Sequence, residues 1–306
     1  MQDEEGLTTD AELAIHAGAC GCALHSRRLF GAMMLAGVGG AVAQDGVQPD
    51  VGQTSKFTKL VPAEQVEAAA AQQYQQMLRE AAQQKALGPP EHPQVKRLRA
   101  IAERIIPFTA SWNERATRWK WEVNLIGSPQ LNAFCMPGGK IAFYYGILKN
   151  LQLSDDEVAT IMGHEVAHAL REHARARMGK TAATRIGAGL LSSLLGLGNV
   201  GNSLLDMGGQ LLTLKFGRED ESEADIVGME LASRAGYDPR AGISLWNKMI
   251  EASKGAPPQF LSTHPSGPTR ILDIESKLPK VLPLYEKAAR PAQNFGPPPL
   301  GKPTNQ

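Results

Sequence analysis

Residues 161–179 read IMGHEVAHALREHARARMG and place His164 and His168 four positions apart, with Glu165 beside the first. On a helical wheel with His164 at the origin, His168 falls at about 40° and Glu165 at about 100°. The three polar side chains therefore share one arc. Around them Ala159, Ile161, Met162, Gly163, Val166, Ala167, Ala169 and Leu170 leave no continuous polar face, so the helix is buried on most sides. Left unpaired there, the three groups would cost on the order of several kcal/mol. A shared metal ion satisfies all of them: histidines one turn apart each point a ring nitrogen at one zinc ion, and the glutamate handles its water. Just upstream, Ser154-Asp155-Asp156-Glu157 is a capping box that sets where this helix begins.

Two histidines need a third ligand. A metzincin requires glycine at 171 and histidine at 174, and the chain has Arg171 and Ala174, which excludes that class. His173 lies at about 180° from His164 on the wheel and reads as a surface group or one behind the ligands. The stretch GREDESEADIVGMELASRAG, residues 217–236, is more promising. With Glu221 at the origin, Asp225, Ala224, Gly228 and Ala232 share its side, whereas Glu219, Glu223, Glu230 and Arg234 point away. The small residues let this helix approach the first closely. Glu221 then completes a His₂Glu zinc site with one open position, and Asp225 accepts the free ring N–H of a ligand histidine, His164 foremost. A solvated, acidic helix start accounts for Glu219, Asp220 and Glu223, but not for the small-residue face.

HEVAH, then REDESEAD (218–225), AGYDPRAG (235–242), STHPS (262–266) with Arg270, and LNAFCMPGGKIAFYYGIL (131–148) occur together. In this order they resemble the HtpX-like and CAAX-prenyl-protease-like zinc metalloendopeptidases, peptidase family M-48, over residues 93–275. The chain is most similar to the soluble periplasmic quality-control branch. The resemblance implies an α+β fold: a mostly helical zincin (gluzincin) with a small antiparallel sheet whose edge strand borders the active-site cleft. It implies one Zn²⁺ per chain on His164, His168 and Glu221, with Glu165 as general base. KIAFYYG is then the edge strand on which extended substrate adds, with Asn132, Ala133, Phe134, Gly139, Ile141 and Phe143 as substrate-binding residues. His264 matches a family histidine near the metal. It either steadies the oxyanion or swings onto zinc as a fourth ligand that holds the enzyme latent, the plain alternative being a loop residue before Pro265. Arg270, behind the ligands like Asp225, anchors that loop or binds the intermediate. Gly217 stands where the family often has serine.

The rest of the chain sets the context. At 306 residues and 42% hydrophobic the chain can bury a sizeable core, and a net charge of +1 offers no field for nucleic acid. SRRLFGAMMLAGVGGAVAQDG (26–46) has a basic pair, an uncharged stretch and the small-residue site Ala41-Val42-Ala43, so residues 1–43 are expected to be a cleaved export signal leading to the periplasm. Ser26-Arg27-Arg28-Leu29-Phe30 also resembles the twin-arginine pattern, and the route stays open. With Cys20 and Cys22 in the leader, Cys135 has no partner for a disulfide. Residues 44–62 read as a linker, 63–290 as the peptidase domain and 291–306 as a disordered Pro/Gly-rich tail.

Helices are expected at 63–87, 93–107, from about Thr213 to Ala235, and after Asp238-Pro239. The uncharged run 186–205 is long enough to span a membrane but too rich in Gly, Ser and Asn, so a flap or helical hairpin beside the site is expected over 186–212. The expected function is hydrolysis of peptide bonds in unfolded or misassembled envelope proteins, with peripheral contact to the membrane or to outer-membrane assembly machinery. The alternative is a latent zinc protein that binds unfolded outer-membrane proteins without cutting them.

Overall fold

A computed structural model describes residues 46–194, 204–254, 258–264 and 269–300. The expected leader and residues 195–203 of the Gly-rich run lie outside the described residues. Helices α1 (Ala63–Gln83) and α2 (Pro93–Ile105) lead into strands β1 (Glu122–Ile126), β2 (Ala133–Met136) and β3 (Lys140–Tyr144). There follow α3 (Tyr145–Asn150), α4 (Asp155–Leu170), α5 (His173–Leu194), α6 (Leu204–Thr213), α7 (Arg218–Arg234), α8 (Ala241–Ala252), α9 (Gln259–Thr263) and α10 (Arg270–Lys287). Among the described residues no helix is long and apolar enough to cross a membrane.

The fold is helical with one small sheet, as expected, but the sheet is mixed rather than antiparallel. Strand order is β1-β3-β2, with β1 parallel and β2 antiparallel to β3. The tight turn at Pro137-Gly138-Gly139, both glycines at positive φ, joins β2 to β3 as a hairpin. Residues 127–132 instead carry the chain across, so that β1 lands on the far side of β3 running the same way. KIAFYYG is therefore the central strand and not the edge. Ile141 and Phe143 are fully buried between its neighbours, which removes them from any substrate-facing role. Gly139 sits in the hairpin turn, where a Cβ would meet the Trp121 ring at 2.7 Å, and it too is not at a cleft. The free edge belongs to β2. On the opposite face α1 is pinned to the sheet by the buried Tyr74, whose hydroxyl donates to the Ile141 carbonyl at 2.5 Å and accepts from Asn124 at 3.0 Å.

Helix α4 begins at the expected capping box: the Ser154 side chain accepts from the Glu157 N–H at 3.2 Å, and Glu157 accepts from the Ser154 N–H at 2.7 Å. Helix α7 crosses α4 at two glycines. A Cβ on Gly163 would stand 2.5 Å from the Gly228 carbonyl oxygen, and one on Gly228 would stand 2.5 Å from the His164 nitrogen. No other residue type permits this approach, so the small-residue face works as the wheel predicts. Helix α7 starts at Arg218 rather than near Thr213, because the Phe216 N–H donates to the Thr263 carbonyl at 3.1 Å and holds residues 214–217 out of the helix.

Both flanking stretches dock on the body. In the stretch expected as a linker, Val47 is fully buried and its N–H donates to Glu230 at 2.7 Å. In the stretch expected as a disordered tail, the Phe295 and Gly296 N–H groups donate to Asp155 at 2.8 and 3.2 Å.

Candidate metal centre

The crossing of α4 and α7 brings His164, His168 and Glu221 together, and the end of α9 adds His264; all four are buried. His164 Nε2 and His168 Nε2 are 3.1 Å apart, and Glu221 lies 3.5 Å from the first and 3.4 Å from the second. His264 Nδ1 stands 3.3 Å from His164 Nε2 and 3.0 Å from Glu221 Oε1. Donors bound to one tetrahedral zinc at about 2.0–2.1 Å stand roughly 3.3–3.4 Å from one another. The spacing and the imidazole–carboxylate chemistry both fit zinc.

A second layer holds these donors. Asp225 lies 2.9 Å from His164 Nδ1, so that ring donates its proton to a carboxylate and turns Nε2 toward the cluster. Arg270, the first residue of α10, donates to Glu221 at 2.7 Å and to Asp225 at 2.7 Å while its guanidinium lies 3.7 Å over the Trp246 ring. It thus clamps both acids of α7 together. His264, at the end of α9, stacks on Phe260 with ring centroids 4.5 Å apart.

Charge follows from these contacts. Burial alone would raise the Glu221 carboxyl, but hydrogen bonds from His164, His168 and His264 outweigh it and hold Glu221 far below the usual carboxylate range. Burial works against a charge on His164, yet Asp225 and Glu221 overcome it and push the imidazole up to about 9. Burial pushes His168 well down, so it is neutral. Asp225 is favoured to ionise because Arg270 and His164 outweigh its burial. Glu165 goes the other way: burial raises it, against the pull of His264 and His164.

Glu165 lies beside the donors, 3.4 Å from His264 Nε2, and faces a cleft. The free edge of β2 forms one wall with Asn132, Ala133 and Phe134; Leu211, Leu212 and Phe216 form the other. Asn132, just before β2, and Ala133 and Phe134 on it thus line the cleft, whereas Gly139, Ile141 and Phe143 do not. Leu211 and Leu212 belong to α6, which puts the described end of the Gly-rich segment beside the site.

A helix break decides between the two places open to His173. Helix α4 ends at Leu170, Glu172 takes a positive φ, and α5 restarts at His173. The break turns His173 inward, where it is buried with Nδ1 2.9 Å from His168 Nδ1. The wheel leaves a surface place and a place behind the ligands both open for His173, and the helix break decides for the second. Glu223, placed on the far face by the wheel, pairs with Arg171, and Glu230 is buried against Val47 and Arg234.

Residues 92–278 match the model described as Peptidase family M48. The chain belongs to this family. M48 metalloproteases use zinc, in agreement with the donor set. Among its relatives is the mitochondrial metalloendopeptidase OMA1 of Schizosaccharomyces pombe, 35% identical over 63% of this chain and 55% of that protein. OMA1 of Saccharomyces cerevisiae is 31% identical over 65% of this chain and 60% of its own length. The beta-barrel assembly-enhancing protease of Escherichia coli (strain K12) is 26% identical over 54% and 36%. The chain spans 55% and 60% of the length of these two OMA1 relatives and 36% of the Escherichia coli protease.

Proposed function

We propose that the chain is a zinc metalloendopeptidase that, after export to the periplasm, hydrolyses unfolded or misassembled envelope proteins. The observation that carries the reading is the convergence of His164, His168 and Glu221 on one point with Glu165 beside them and a cleft in front. Bound zinc supplies a Lewis acid that polarises the scissile carbonyl and makes water acidic. Glu165 takes the proton of the attacking water and returns it to the leaving amine, and burial, by raising its carboxyl, strengthens it as a base. Substrate in extended form pairs with the open edge of β2, which brings its backbone past Glu165. The choice of envelope substrates draws support from the name of the beta-barrel assembly-enhancing relatives and from the leader-like residues 26–46. The same support favours contact with outer-membrane assembly machinery.

A specific distance favours a second reading. His264 Nδ1 stands 3.3 Å from His164 Nε2 and 3.0 Å from Glu221 Oε1, which supports a latent form in which His264 would serve as a fourth zinc ligand and the protein binds unfolded chains without cutting them. In the active state His264 swings away and steadies the oxyanion.

Cleavage of casein by the zinc-loaded mature chain tests both. The Glu165→Gln variant should keep zinc and lose at least about 100-fold in rate. If His264→Ala raises cleavage sharply, latency is supported; if neither wild type nor His264→Ala cleaves while zinc is bound, the peptidase reading fails.

A further inference from the structure

His164 and His168 are both held from behind, but in different ways. His164 donates its Nδ1 proton straight to the Asp225 carboxylate. Among the described residues no carboxylate stands behind His168: its Nδ1 faces His173 Nδ1 at 2.9 Å. A neutral imidazole that offers Nε2 to a metal carries its proton on Nδ1. With a metal on Nε2, His168 becomes the donor in that contact and His173 Nδ1 the bare acceptor. The proton of His173 is then on Nε2, a fully buried nitrogen that makes no hydrogen bond here and faces the Glu223 carboxylate at 3.5 Å. Glu223 is fixed in turn by Arg171, which also donates to the Gly52 carbonyl. Phe216 covers the His168 ring, with centroids 3.9 Å apart.

We infer that His173 is a positioning residue for the metal centre: it sets the tautomer and the ring orientation of His168 through a His168–His173–Glu223 relay locked by Arg171. The inference rests on His168 as a metal ligand. The relay explains why the helix must break after Leu170. Only the turn at Arg171-Glu172 brings the ring of residue 173 behind the ring of residue 168. It also gives the buried Arg171 and the docked stretch around Gly52 a purpose at the site, since they fix the far end of the chain of contacts. The relay acts on His168 alone, leaving the Asp225 side of the site untouched.

The test reads metal affinity and spectrum, independent of turnover. His173→Phe keeps a ring but removes the acceptor; His173→Asn offers an acceptor oxygen close to where Nδ1 stood. Zinc affinity is measured by chelator competition, and the d–d spectrum is recorded on the cobalt(II)-substituted full mature chain. His173→Phe should bind zinc about 10–100-fold more weakly and shift the cobalt bands, while His173→Asn stays close to wild type in both. Wild-type affinity in His173→Phe overturns the inference, as does an equal loss in both variants, which would mark a packing role. Should His173→Phe not fold, ring ¹⁵N shifts of the zinc-loaded wild type decide: a bare His173 Nδ1 is expected, and a protonated one overturns the relay. A chain that takes up no zinc at all would instead sink the metallopeptidase reading.

Discussion

His164 carries the proton that a metal has to displace. In the metal-free chain Asp225 and Glu221 hold its imidazole at about 9, whereas His168 is already neutral and Glu221 already ionised. A ligating imidazole must be neutral, so loading zinc at pH 7 expels about one proton. Zinc affinity should accordingly rise about tenfold per pH unit from 7 toward 9 and level off above, as chelator competition across pH would record. The metal-free fold has the opposite dependence: the raised imidazole contributes stability that is fully present below its unfolded value and lost as pH rises through about 9. A zinc affinity independent of pH over this range would contradict the assignment. At this scale the sequence was informative, because His164, Glu165 and His168 share one arc and Glu221 and Asp225 share a small-residue face. For His173 the sequence leaves a surface place and a place behind the ligands both open, because no count of 100° steps reveals the helix break that decides between them.

Elements meet at the α4–α7 crossing, where Gly163 and Gly228 leave backbone against backbone. Gly163→Ala puts a methyl 2.5 Å from the Gly228 carbonyl oxygen, and main chain cannot step aside as a side chain tip can. The helices must separate, at a cost of about 1–3 kcal/mol, and Glu221 and Asp225 move off the histidines with them. Lower urea stability together with weaker zinc binding is expected; a variant that loses neither would show that the crossing does not set the site. Local pattern announced α4, through its capping box, and the glycine-bearing face of α7. It did not announce the sheet order, because pairing depends on where residues 127–132 carry the chain. The alternation of KIAFYYG is the same for a central strand as for an edge. Pro279 and Pro283 likewise masked α10, which nonetheless supplies Arg270.

Across the whole molecule, distant stretches fasten the site from outside. Arg97, fully buried on α2, donates to Asp155 at 2.6 Å and to the Leu153 carbonyl at 2.6 Å, where α4 begins and where the Phe295 and Gly296 N–H groups also arrive. Arg97→Met strands the Asp155 charge and should cost about 3–5 kcal/mol in urea unfolding. Removing residues 291–306 takes away the two N–H donors to Asp155 and the Gly296 and Pro298 carbonyls that accept from Gln94 and Gln152, contacts with no charged group on the tail side, and should cost about 1–2 kcal/mol; an equal loss in the two would contradict this division of roles. Neither contact was legible beforehand, since 58 and 140 residues separate the partners and the tail's composition resembles disorder. The central claim, that three side chains from two crossing helices hold one zinc, is tested most directly by metal content. Zinc should be measured per folded chain for wild type, Glu165→Gln, His164→Ala and Glu221→Ala. One zinc in the first two and little in the last two is the predicted result. Wild-type zinc content in Glu221→Ala, or none in a folded wild-type chain, would contradict the account.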